Sequence, residues 1–524
     1  MLEIKPIKPE KNNKQLLRFL APIIWFILGF VLALWLDGVQ SSDNANKIEP
    51  LQFSVVVTDF CPETTFLSCG EKADFVNFPK NQPSLPEEVD GRKAFSNNKY
   101  EEAVNSLKKA WQKEGDPSTL IALSNAQVLL DIQQKKISKN QVVNLVIQVP
   151  YGNSDNNQIP DWIPKNLLLG VAWKQYEFNQ KNSSNFKLII LIADDKNNES
   201  QAETVAREIA KTENILGVIG PYSSKIATYI TGIFSKQKLV LISPSSTVPE
   251  LIFDPTQVPN REFLFRIVPT LDKKSTQDLA NYLVNIKGFK KFIIFTTTDD
   301  SFGVQYTENF QQKLNSLNIT DIQRYSLAEQ TQFKTLIETF KGEYDPQITA
   351  LFIFPNAYTD STEKQKIIDL INDNQGVFFM GGSNTVFVPD VYNGKVDSSY
   401  IENNLVVTVP IFPTPTHLTQ LQNFLTSTQV SQNVVNQNIE DLTWMIVTAF
   451  DSTQVFIEAI TRLLEEKKPV TRAGIHEMLK SNFKTEGLTG AIAFDEEGDR
   501  VEAFNSLITP DCSSGTCKWI EVPY

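Results

Sequence analysis

Histidine, cysteine and methionine are scarce in this 524-residue sequence, which contains two, four and four of them respectively. The two histidines, His417 and His476, lie far apart and in no metal-ligand spacing, so the sequence indicates no zinc site. A Walker loop, a GxSxG turn and a GxGxxG turn are also missing from the sequence. A hydrolase with a carboxylate pair is not excluded, but no pair is arranged for that chemistry. We therefore predict a protein that is not an enzyme and has no cofactor or metal.

The sequence has no excess of positive charge. It contains 49 Lys and Arg residues against 61 Asp and Glu residues, for a net charge of −12. A nucleic-acid partner is not expected, because too few cations are available to neutralise phosphates. The length is too great for a single core and predicts about two to four domains.

The few cysteines fall into two close pairs in the sequence. Cys61 stands near Cys69, and Cys512 stands near Cys517. Neither pair has CxxC spacing, and no histidine is close to either pair. If these segments lie outside the cytoplasm, both pairs are expected to be oxidised to disulfides. The alternative is that the four residues are unpaired and serve as small apolar side chains.

One long apolar run stands near the N-terminus. Residues 19–36 read FLAPIIWFILGFVLALWL and carry no charge, a length of about 27 Å as a helix, close to the thickness of a bilayer core. The run is preceded by basic residues and followed by Asp37, so the positive-inside rule predicts a single-pass helix in the inner (plasma) membrane. Residues 1–18 would then be a cytoplasmic tail, and the rest of the chain would be periplasmic or otherwise extracytoplasmic.

A cleaved signal peptide is the alternative for this run. Val39 and Ser41 are weak small residues for a cleavage site, but the run is longer than a usual signal core and no A-x-A follows it. A lipoprotein anchor is not supported, because no cysteine directly follows the run.

Two regions separate this run from the β-rich part of the chain. Residues 37–90 read as a spacer that contains the first cysteine pair, and residues 91–132 read as helices. Gly91, Tyr100, Ala103, Ala110 and Pro117 stand where a tetratricopeptide repeat places its signature residues, so this segment resembles that repeat. The resemblance covers about one and a half repeats, fewer than the roughly three that a free-standing array needs. An unrelated helical hairpin is the alternative, and either arrangement is expected to pack on a neighbour.

From residue 142 onward, short apolar runs rich in β-branched residues alternate with amphipathic helical patterns. This alternation predicts an α/β fold with a mostly parallel sheet covered on both faces. Residues 142–524 are too many for one doubly wound lobe, so the pattern predicts two lobes.

Polar residues cluster directly after three of the predicted strands, where open parallel sheets bind their ligands. A serine at the start of the following helix caps it and leaves backbone N–H groups available for a carboxylate. Taken singly, a serine in such a place is more often only a cap. The three clusters read GVIGPYSSK, LVLISPSSTVPEL and FFMGGSNT, and their polar residues are Ser223, Ser224, Ser245, Ser246, Thr247, Ser383 and Asn384.

These motifs, together with TTDDSFG and LTGAIAFDEEGDR, resemble the type I periplasmic binding proteins, in particular the leucine/isoleucine/valine-binding branch. The resemblance runs from about Val142 to Val501. It implies a two-lobed fold with ligand in the cleft and with the chain crossing between lobes near Leu271, Thr408 and Val501. Lobe 1 would hold residues 142–271 and 408–500, and lobe 2 would hold residues 272–407 and 501–524.

The resemblance also implies roles for individual residues. Ser223, Ser224 and the N–H of Tyr222 would hold a ligand carboxylate. The Ser245 carbonyl and the Thr247 hydroxyl would hold an ammonium group. Further lining residues would be Ser246, Phe302 in the place of a lobe-2 aromatic residue, and Trp162 or Ile163 on the first loop.

The sequence departs from the family pattern on the ammonium side of the pocket. Ser383 stands where family members place an acidic residue, and Ala357, followed by Tyr358, stands where an aromatic residue is expected. A buried ammonium without a countercharge is costly. Either the ligand lacks an α-ammonium, or an acidic residue elsewhere replaces the missing one; the candidates are Asp161, Asp299 and Asp300.

The sequence therefore predicts a membrane-tethered solute-binding protein that recognises an amino acid, amide or carboxylate for an ABC-type importer. The alternative is a ligand sensor or assembly subunit that acts through a partner protein docked on the helical segment. A third possibility is a scaffold whose pocket has decayed.

Overall fold

The computed structural model describes most of the chain beyond residue 59. The described residues are 60–62, 64–72, 84–151, 159–181, 184–247, 261–297, 301–330, 332–356, 361–386, 395–440, 443–502, 505–513 and 517–522. The predicted cytoplasmic tail and membrane helix, residues 1–18 and 19–36, lie outside them. Within the described ranges, no helix is both long and apolar enough to cross a bilayer.

The first sheet contains, among the described residues, six strands in the spatial order β1–β3–β2–β4–β5–β6. Neighbouring strands run parallel, except that β1 is antiparallel to β3. Strands β2 and β4 are buried along their whole length, as expected where helices cover both faces of a parallel sheet. The strands are β1 (Leu67–Ser68), β2 (Val142–Val149), β3 (Lys187–Asp194), β4 (Ile215–Ile219), β5 (Val240–Ser243) and β6 (Leu264–Arg266).

The second sheet contains, in the same described ranges, seven strands in the order β15–β14–β11–β10–β9–β7–β8. Strands β14 and β15 are antiparallel to their neighbours, and the other pairs are parallel. A separate hairpin joins β12 (Thr485–Gly487) to β13 (Gly490–Ile492). The strands of the sheet are β7 (Lys291–Thr296), β8 (Asp321–Ser326), β9 (Thr349–Phe354), β10 (Phe379–Gly382), β11 (Leu405–Val409), β14 (Ser506–Asp511) and β15 (Lys518–Glu521).

Helices cover both sheets and are numbered here in chain order. Helix α7 is flanked by π-helical turns, Leu271–Ser275 and Tyr282–Ile286. The described helices are α1 (Pro86–Ser96), α2 (Tyr100–Glu114), α3 (Pro117–Gln133), α4 (Trp162–Gln180), α5 (Glu199–Lys211), α6 (Ser224–Lys236), α7 (Thr276–Asn281), α8 (Ser301–Ser316), α9 (Phe333–Glu343), α10 (Ser361–Asn374), α11 (Ser398–Ile401), α12 (Pro415–Ser427), α13 (Gln432–Glu440), α14 (Trp444–Glu465) and α15 (Arg472–Lys480).

Each sheet with its helices forms one lobe. Lobe 1 holds the first sheet with α1–α6 and α12–α15, and lobe 2 holds the second sheet with α7–α11. Within lobe 1, α4 packs against α14, and the approach is so close that a Cβ atom on Gly170 would lie 2.2 Å from the Ile446 carbonyl oxygen. The chain passes between the sheets after β6, after β11 and before β14. The two-lobed α/β fold predicted from the sequence is confirmed.

The outer edge of β3 is covered by side chains and by β1. Asn125 of α3 is fully buried; its Nδ2 donates to the Ile190 carbonyl (2.8 Å), and its Oδ1 accepts from the Ile190 N–H (3.1 Å). Asn179 forms the same pair of bonds with Leu188, each at 2.9 Å. An uncovered strand edge invites pairing with other chains, so these amides and β1 protect the edge, and Asn125 also fixes α3 to lobe 1.

Residues 91–132 form a helical hairpin, α1 and α2, followed by α3. A Cβ atom on Gly91 would lie 2.7 Å from Leu107 Cγ, which explains why a glycine stands at this contact. The hairpin is tied to its surroundings by Arg92, whose guanidinium binds Glu88 (2.8 Å), Ser118 Oγ (2.9 Å) and the Gly70 carbonyl (3.3 Å). The tetratricopeptide resemblance of this segment stays a prediction.

Both cysteine pairs are joined in the structure, Cys61 to Cys69 and Cys512 to Cys517. The first disulfide lies beside β1 and α3, because Asn125 Nδ2 also donates to the Cys69 carbonyl (2.8 Å). The segment read from the sequence as a spacer thus contributes a strand to lobe 1.

Removal of the first disulfide by the double substitution Cys61→Ala and Cys69→Ala is expected to lower the free energy of unfolding. The bond spans eight positions, and closing a loop of that size is worth roughly 2.5 kcal/mol through the entropy of the unfolded chain. Urea denaturation without reductant should show this loss, and the difference from the parent should vanish in reductant. Equal stability without reductant would contradict the prediction.

A buried polar cluster lies where the chain crosses between lobes. Arg500 donates to Thr489 Oγ1 (2.6 Å), to the Thr489 carbonyl (2.8 Å) and to the Ile267 carbonyl (3.4 Å). Asp451 of α14 accepts from the Leu488 N–H (2.6 Å) and the Thr489 N–H (3.0 Å). Burial raises the pKa of Asp451 and lowers the pKa of Arg500. These bonds hold the β12–β13 hairpin against the crossing segment that follows β6.

Candidate functional site

The turn after β4 positions the first candidate residues. Gly220 has a φ of 117°, which favours glycine, and a Cβ atom there would lie 2.4 Å from the Gln148 carbonyl oxygen. This close approach brings the turn against the end of β2. The chain then enters α6, where Ser223 is the N-cap and its hydroxyl accepts from the Ile226 N–H (3.3 Å).

Ser223 itself is occupied within the protein. Besides capping α6, its hydroxyl donates to Asn197 Oδ1 at 2.8 Å. Asn197 follows β3 and has a left-handed φ of 49°. The Ser223 hydroxyl therefore links the turns after β3 and β4. The contact between Ser223 and a ligand carboxylate stays a prediction.

The serines after β5 lock this segment onto the turn after β4. Ser245 Oγ donates to the Tyr222 carbonyl (2.7 Å), and Ser246 Oγ donates to Ser224 Oγ (3.1 Å). Ser246 is fully buried. The two serine clusters that the sequence singled out are thus brought together at one edge of lobe 1.

Thr247 ends this segment and differs from the serines. Its carbonyl accepts from the Leu271 N–H (2.9 Å), which ties it to the crossing segment between the lobes. Its side chain is buried, and within the part of the chain that the structure describes the hydroxyl has no hydrogen-bond partner. A hydroxyl in this position can donate to or accept from a bound molecule.

Trp162 is the first residue of α4 and lies at the same edge of lobe 1, beyond the carboxyl end of β2. Its indole Nε1 is buried and lacks a hydrogen-bond partner in the described ranges. Buried indole N–H groups usually find a partner. Trp162 therefore adds a second polar group that the described residues leave unsatisfied.

Phe302 comes from lobe 2, in the first turn of α8. Its side chain is 4% exposed and contacts Tyr306 edge to face, with 5.7 Å between ring centres. Tyr306 in turn stacks on Phe354 at the end of β9 (4.7 Å), and burial raises the pKa of Tyr306. Helices α8 and α6 contact each other, so α8 lies on the side of lobe 2 that meets lobe 1.

Ser383 does not present its hydroxyl to open space. The residue is 0% exposed, and its Oγ bonds Thr385 Oγ1 at 2.7 Å within the short 3-10 turn Asn384–Val386. Its carbonyl accepts from the Val386 N–H (3.0 Å). The predicted contact of Ser383 with a ligand stays a prediction; Asn384, its neighbour, is partly exposed.

Four other predicted positions lie outside the described residues. They are Ala357 and Tyr358, which follow β9, and the two acidic candidates Asp299 and Asp300. Asp161, the third acidic candidate, precedes α4 and is partly exposed.

Asn356 is a candidate that sequence reasoning missed. It lies just beyond the carboxyl end of β9, and its Oδ1 is buried without a hydrogen-bond partner in the described ranges. The signal was available, because Asn356 is a polar residue directly after a buried strand, as Ser245 is. The family pattern points to Ala357, the next residue, instead.

A buried carboxyl group lies behind the serine turn. Asp195 follows β3, is 1% exposed, and accepts from the Asn197 N–H (2.8 Å) and from Gln148 Nε2 (3.1 Å). Burial raises the pKa of Asp195 to about 7, assisted by the neighbouring Asp194, although both hydrogen bonds oppose the rise. Asn197 also bonds the Ser223 hydroxyl, so the Asp195 carboxyl helps to hold the turn after β4 in place.

The two histidines have structural contacts. His417 accepts from the Thr414 N–H through Nδ1 (3.0 Å), and its Nε2 bonds the Leu488 carbonyl (2.9 Å). His476 stacks on Phe263, with 4.0 Å between ring centres, and burial lowers its pKa. In the described ranges, no three His, Cys, Asp or Glu side chains gather closely enough to hold a metal ion.

The sequence was compared with models of known protein families. A family model described as periplasmic binding protein matches residues 167–503, which is more than half of the chain. The chain belongs to the periplasmic binding protein family. No curated protein matches this binding protein.

Solved structures share the fold of this binding protein at low sequence identity. An ABC transporter substrate-binding protein from Desulfitobacterium hafniense is 19% identical, with a TM-score of 0.55, and covers 73% of this chain and 100% of its own. The branched-chain amino acid transporter substrate-binding protein of Streptococcus pneumoniae, in complex with isoleucine, is 16% identical (TM-score 0.55; 73% and 99% covered). A solute-binding protein of Rhodopseudomonas palustris in complex with 4-hydroxybenzoate is 14% identical (TM-score 0.55; 73% and 96% covered).

Proposed function

We propose that the cleft between the lobes binds a small carboxylate-bearing solute and that the protein presents this solute to an ABC-type importer. The main support for the proposal comes from one edge of lobe 1. The N-terminus of α6 and the buried Thr247 both lie at this edge. The N-terminus of a helix favours a carboxylate through its N–H groups and dipole. The ligands bound by the relatives, isoleucine and 4-hydroxybenzoate, share a carboxylate.

In this proposal the carboxylate is held by the first turn of α6 and the segment after β5. Ser224 is the first residue of α6, the Tyr222 N–H lies in the turn just before it, and Thr247 belongs to the segment after β5. Ser223, Ser245 and Ser246 act indirectly, because their hydroxyls hold these two segments together. Trp162 and Phe302 would line the ligand from the two sides of the cleft.

The proposal includes a location. We propose that residues 19–36 are retained as a single helix in the inner membrane and that the lobes lie outside the cytoplasm. The support is the uncharged run and the basic residues before it. N-terminal sequencing of the membrane-bound protein tests retention: an N-terminus beyond residue 36 would show cleavage.

Substitution of the site is expected to weaken binding without loss of folding. Ser224→Ala or Thr247→Ala should each raise the Kd by about 10- to 150-fold, because one hydrogen bond to a charged ligand contributes roughly 1.5–3 kcal/mol. The full-length protein in mild detergent would first be screened by thermal shift against amino acids, amides, ureas and short carboxylates. At a concentration about 100 times the Kd, a true ligand adds roughly 2.7 kcal/mol of stability.

Ser316→Ala is the matched control, because Ser316 is an exposed serine at the C-terminal end of α8 whose hydroxyl bonds only the Lys313 carbonyl in the described ranges. It should leave the Kd unchanged. If a genuine ligand binds Ser224→Ala and Thr247→Ala as tightly as the parent, the site is misplaced. If no compound binds at millimolar concentration and none co-purifies, a scaffold with a decayed pocket becomes the better reading.

A second candidate function is a sensor or assembly subunit that acts through a partner protein. The observation in its favour is a groove of about 530 Å³ beside the α1–α2 hairpin, lined among others by Phe60, Phe95, Tyr100, Leu129 and Lys139. Neighbouring genes discriminate the two functions: permease genes support the importer, and kinase or protein-complex genes support the sensor.

A further inference from the structure

Asn356 holds a buried acceptor that the protein itself leaves unused. Its side-chain Oδ1 is shielded from water and has no hydrogen-bond partner among the residues that the structure describes. Its backbone N–H, by contrast, donates to Glu363 Oε1 at 3.1 Å, so the backbone of the residue is held in place. A buried polar atom without a partner is costly and rare in native proteins, and a bound molecule is one explanation for it.

The position of Asn356 places it on the cleft side of lobe 2. It follows β9, and open parallel sheets bind ligands beyond the carboxyl ends of their strands. The preceding residue, Pro355, lies against α8, since a Cβ atom on Gly303 would be 2.8 Å from its carbonyl oxygen. Gly303 is next to Phe302, and α8 contacts α6 of lobe 1. Asn356 therefore lies close to α8, the helix of lobe 2 that contacts α6 of lobe 1.

The described residues that follow strands β7, β9 and β10 are uncharged, and the neighbouring Glu363 carboxylate accepts from the Asn356 N–H. Thr297 follows β7, Asn356 follows β9 and Ser383 follows β10. Ser383 is fully buried and bonded to Thr385, and Thr297 is buried as well. Neutral acceptors suit a hydroxyl or amide donor, whereas a buried ammonium needs a countercharge.

From this arrangement we propose that Asn356 is the specificity-determining residue of lobe 2, and that the cleft prefers a carboxylate bearing a hydroxyl or amide donor over one bearing an α-ammonium. This inference rests on the function proposed above. The carboxylate would bind at lobe 1, and the uncharged donor would bind at the Asn356 amide of lobe 2.

Matched pairs of probes test the preference in the full-length protein by isothermal titration calorimetry. One pair is leucine and 2-hydroxy-4-methylpentanoate, which differ in the ammonium and hydroxyl groups. The other pair is benzoate and 4-hydroxybenzoate, which differ in one hydroxyl group. In at least one pair the hydroxylated probe should bind about 10-fold more tightly than its partner.

Variants assign the preference to one residue. Asn356→Ala should raise the Kd of the preferred hydroxylated probe by about 10-fold and leave benzoate unchanged, while Asn356→Asp should shift the preference from the hydroxy acid toward leucine by supplying a countercharge. Asn315→Ala, at an exposed position near the C-terminal end of α8, is the matched control and should change neither Kd. Thermal unfolding checks that each variant is folded, and Asn356→Ser replaces Asn356→Ala if the latter is not.

The outcomes separate the two proposals. If the parent binds leucine more tightly than the hydroxy acid, or if Asn356→Ala leaves a hydroxylated probe unaffected while Ser224→Ala weakens it, the role of Asn356 is refuted and the lobe 1 site stands. If none of the four probes binds to the parent, the inference fails in this form. The broader ligand screen then decides whether the cleft binds solutes.

Discussion

Asp499→Ala should lower the free energy of unfolding by about 3–5 kcal/mol, because it removes the carboxylate that is bonded to a buried guanidinium. Arg266 of β6 is 1% exposed, and its Nε donates to Asp499 Oδ1 at 2.6 Å. The Arg266 N–H also donates to the Gly498 carbonyl (2.9 Å). This pair joins the segment after the β12–β13 hairpin to the last strand of the lobe 1 sheet, close to the crossings between lobes.

Urea denaturation followed by tryptophan fluorescence measures this loss. Lys211→Ala is the comparison: Lys211 forms an exposed pair with Glu208 (3.3 Å), and its removal should cost less than about 1 kcal/mol. Asp499→Asn, which retains an acceptor, should lie between the parent and Asp499→Ala. Should Asp499→Ala unfold within about 1 kcal/mol of the parent, the buried pair would not be the contact that holds this segment.

Asp195→Asn is expected to stabilise the protein at pH 8 and to have little effect at pH 4. The folded protein raises the pKa of Asp195 from 3.8 to about 7, so the folded state resists ionisation of this group and the unfolded state does not. Well below pH 3.8 the group is protonated in both states and contributes no difference, and at pH 4 the difference is still small. As the pH rises toward 7 the penalty grows, and above 7 it is constant, at roughly 4 kcal/mol.

The asparagine fits the hydrogen-bonding groups at this position. Its Oδ1 can accept from the Asn197 N–H as Asp195 does. Its Nδ2 can donate to Gln148 Oε1, which is buried and unpartnered among the described residues, after rotation of the Gln148 amide. Urea denaturation of the parent and variant at several pH values tests the effect, with the exposed Asp90→Asn as control. A stability difference that does not change between pH 4 and pH 8 would contradict a raised pKa for Asp195.

The fold was predictable from sequence because its strands are buried on both faces. Strands such as β2 and β9 are continuous apolar runs, and amphipathic helices stand between them, which is the pattern of a covered parallel sheet. The capping role of Ser223 was also predictable, since a serine between a strand and a helix supplies a hydrogen-bond acceptor to the first turn.

Contacts between segments distant in sequence were not predictable in this way. Strand β1 is only two residues long, and Asn125 lies in a helix whose spacing gives no hint that its amide bonds the edge of β3. The same limit applies within the site. The sequence placed Ser383 after a strand, but its burial depends on the turn that it forms with Thr385, and the unused acceptor of Asn356 becomes visible only when its surroundings are known.

A crystal structure of the full-length protein with the tightest ligand from the screen tests the central claim most directly. The account predicts ligand between the lobes, with a carboxylate oxygen about 2.7–3.2 Å from the Tyr222 N–H nitrogen, Ser224 Oγ or Thr247 Oγ1. Ligand found instead in the groove beside Phe60 and Tyr100, or in the cleft without contact to these three residues, would contradict it.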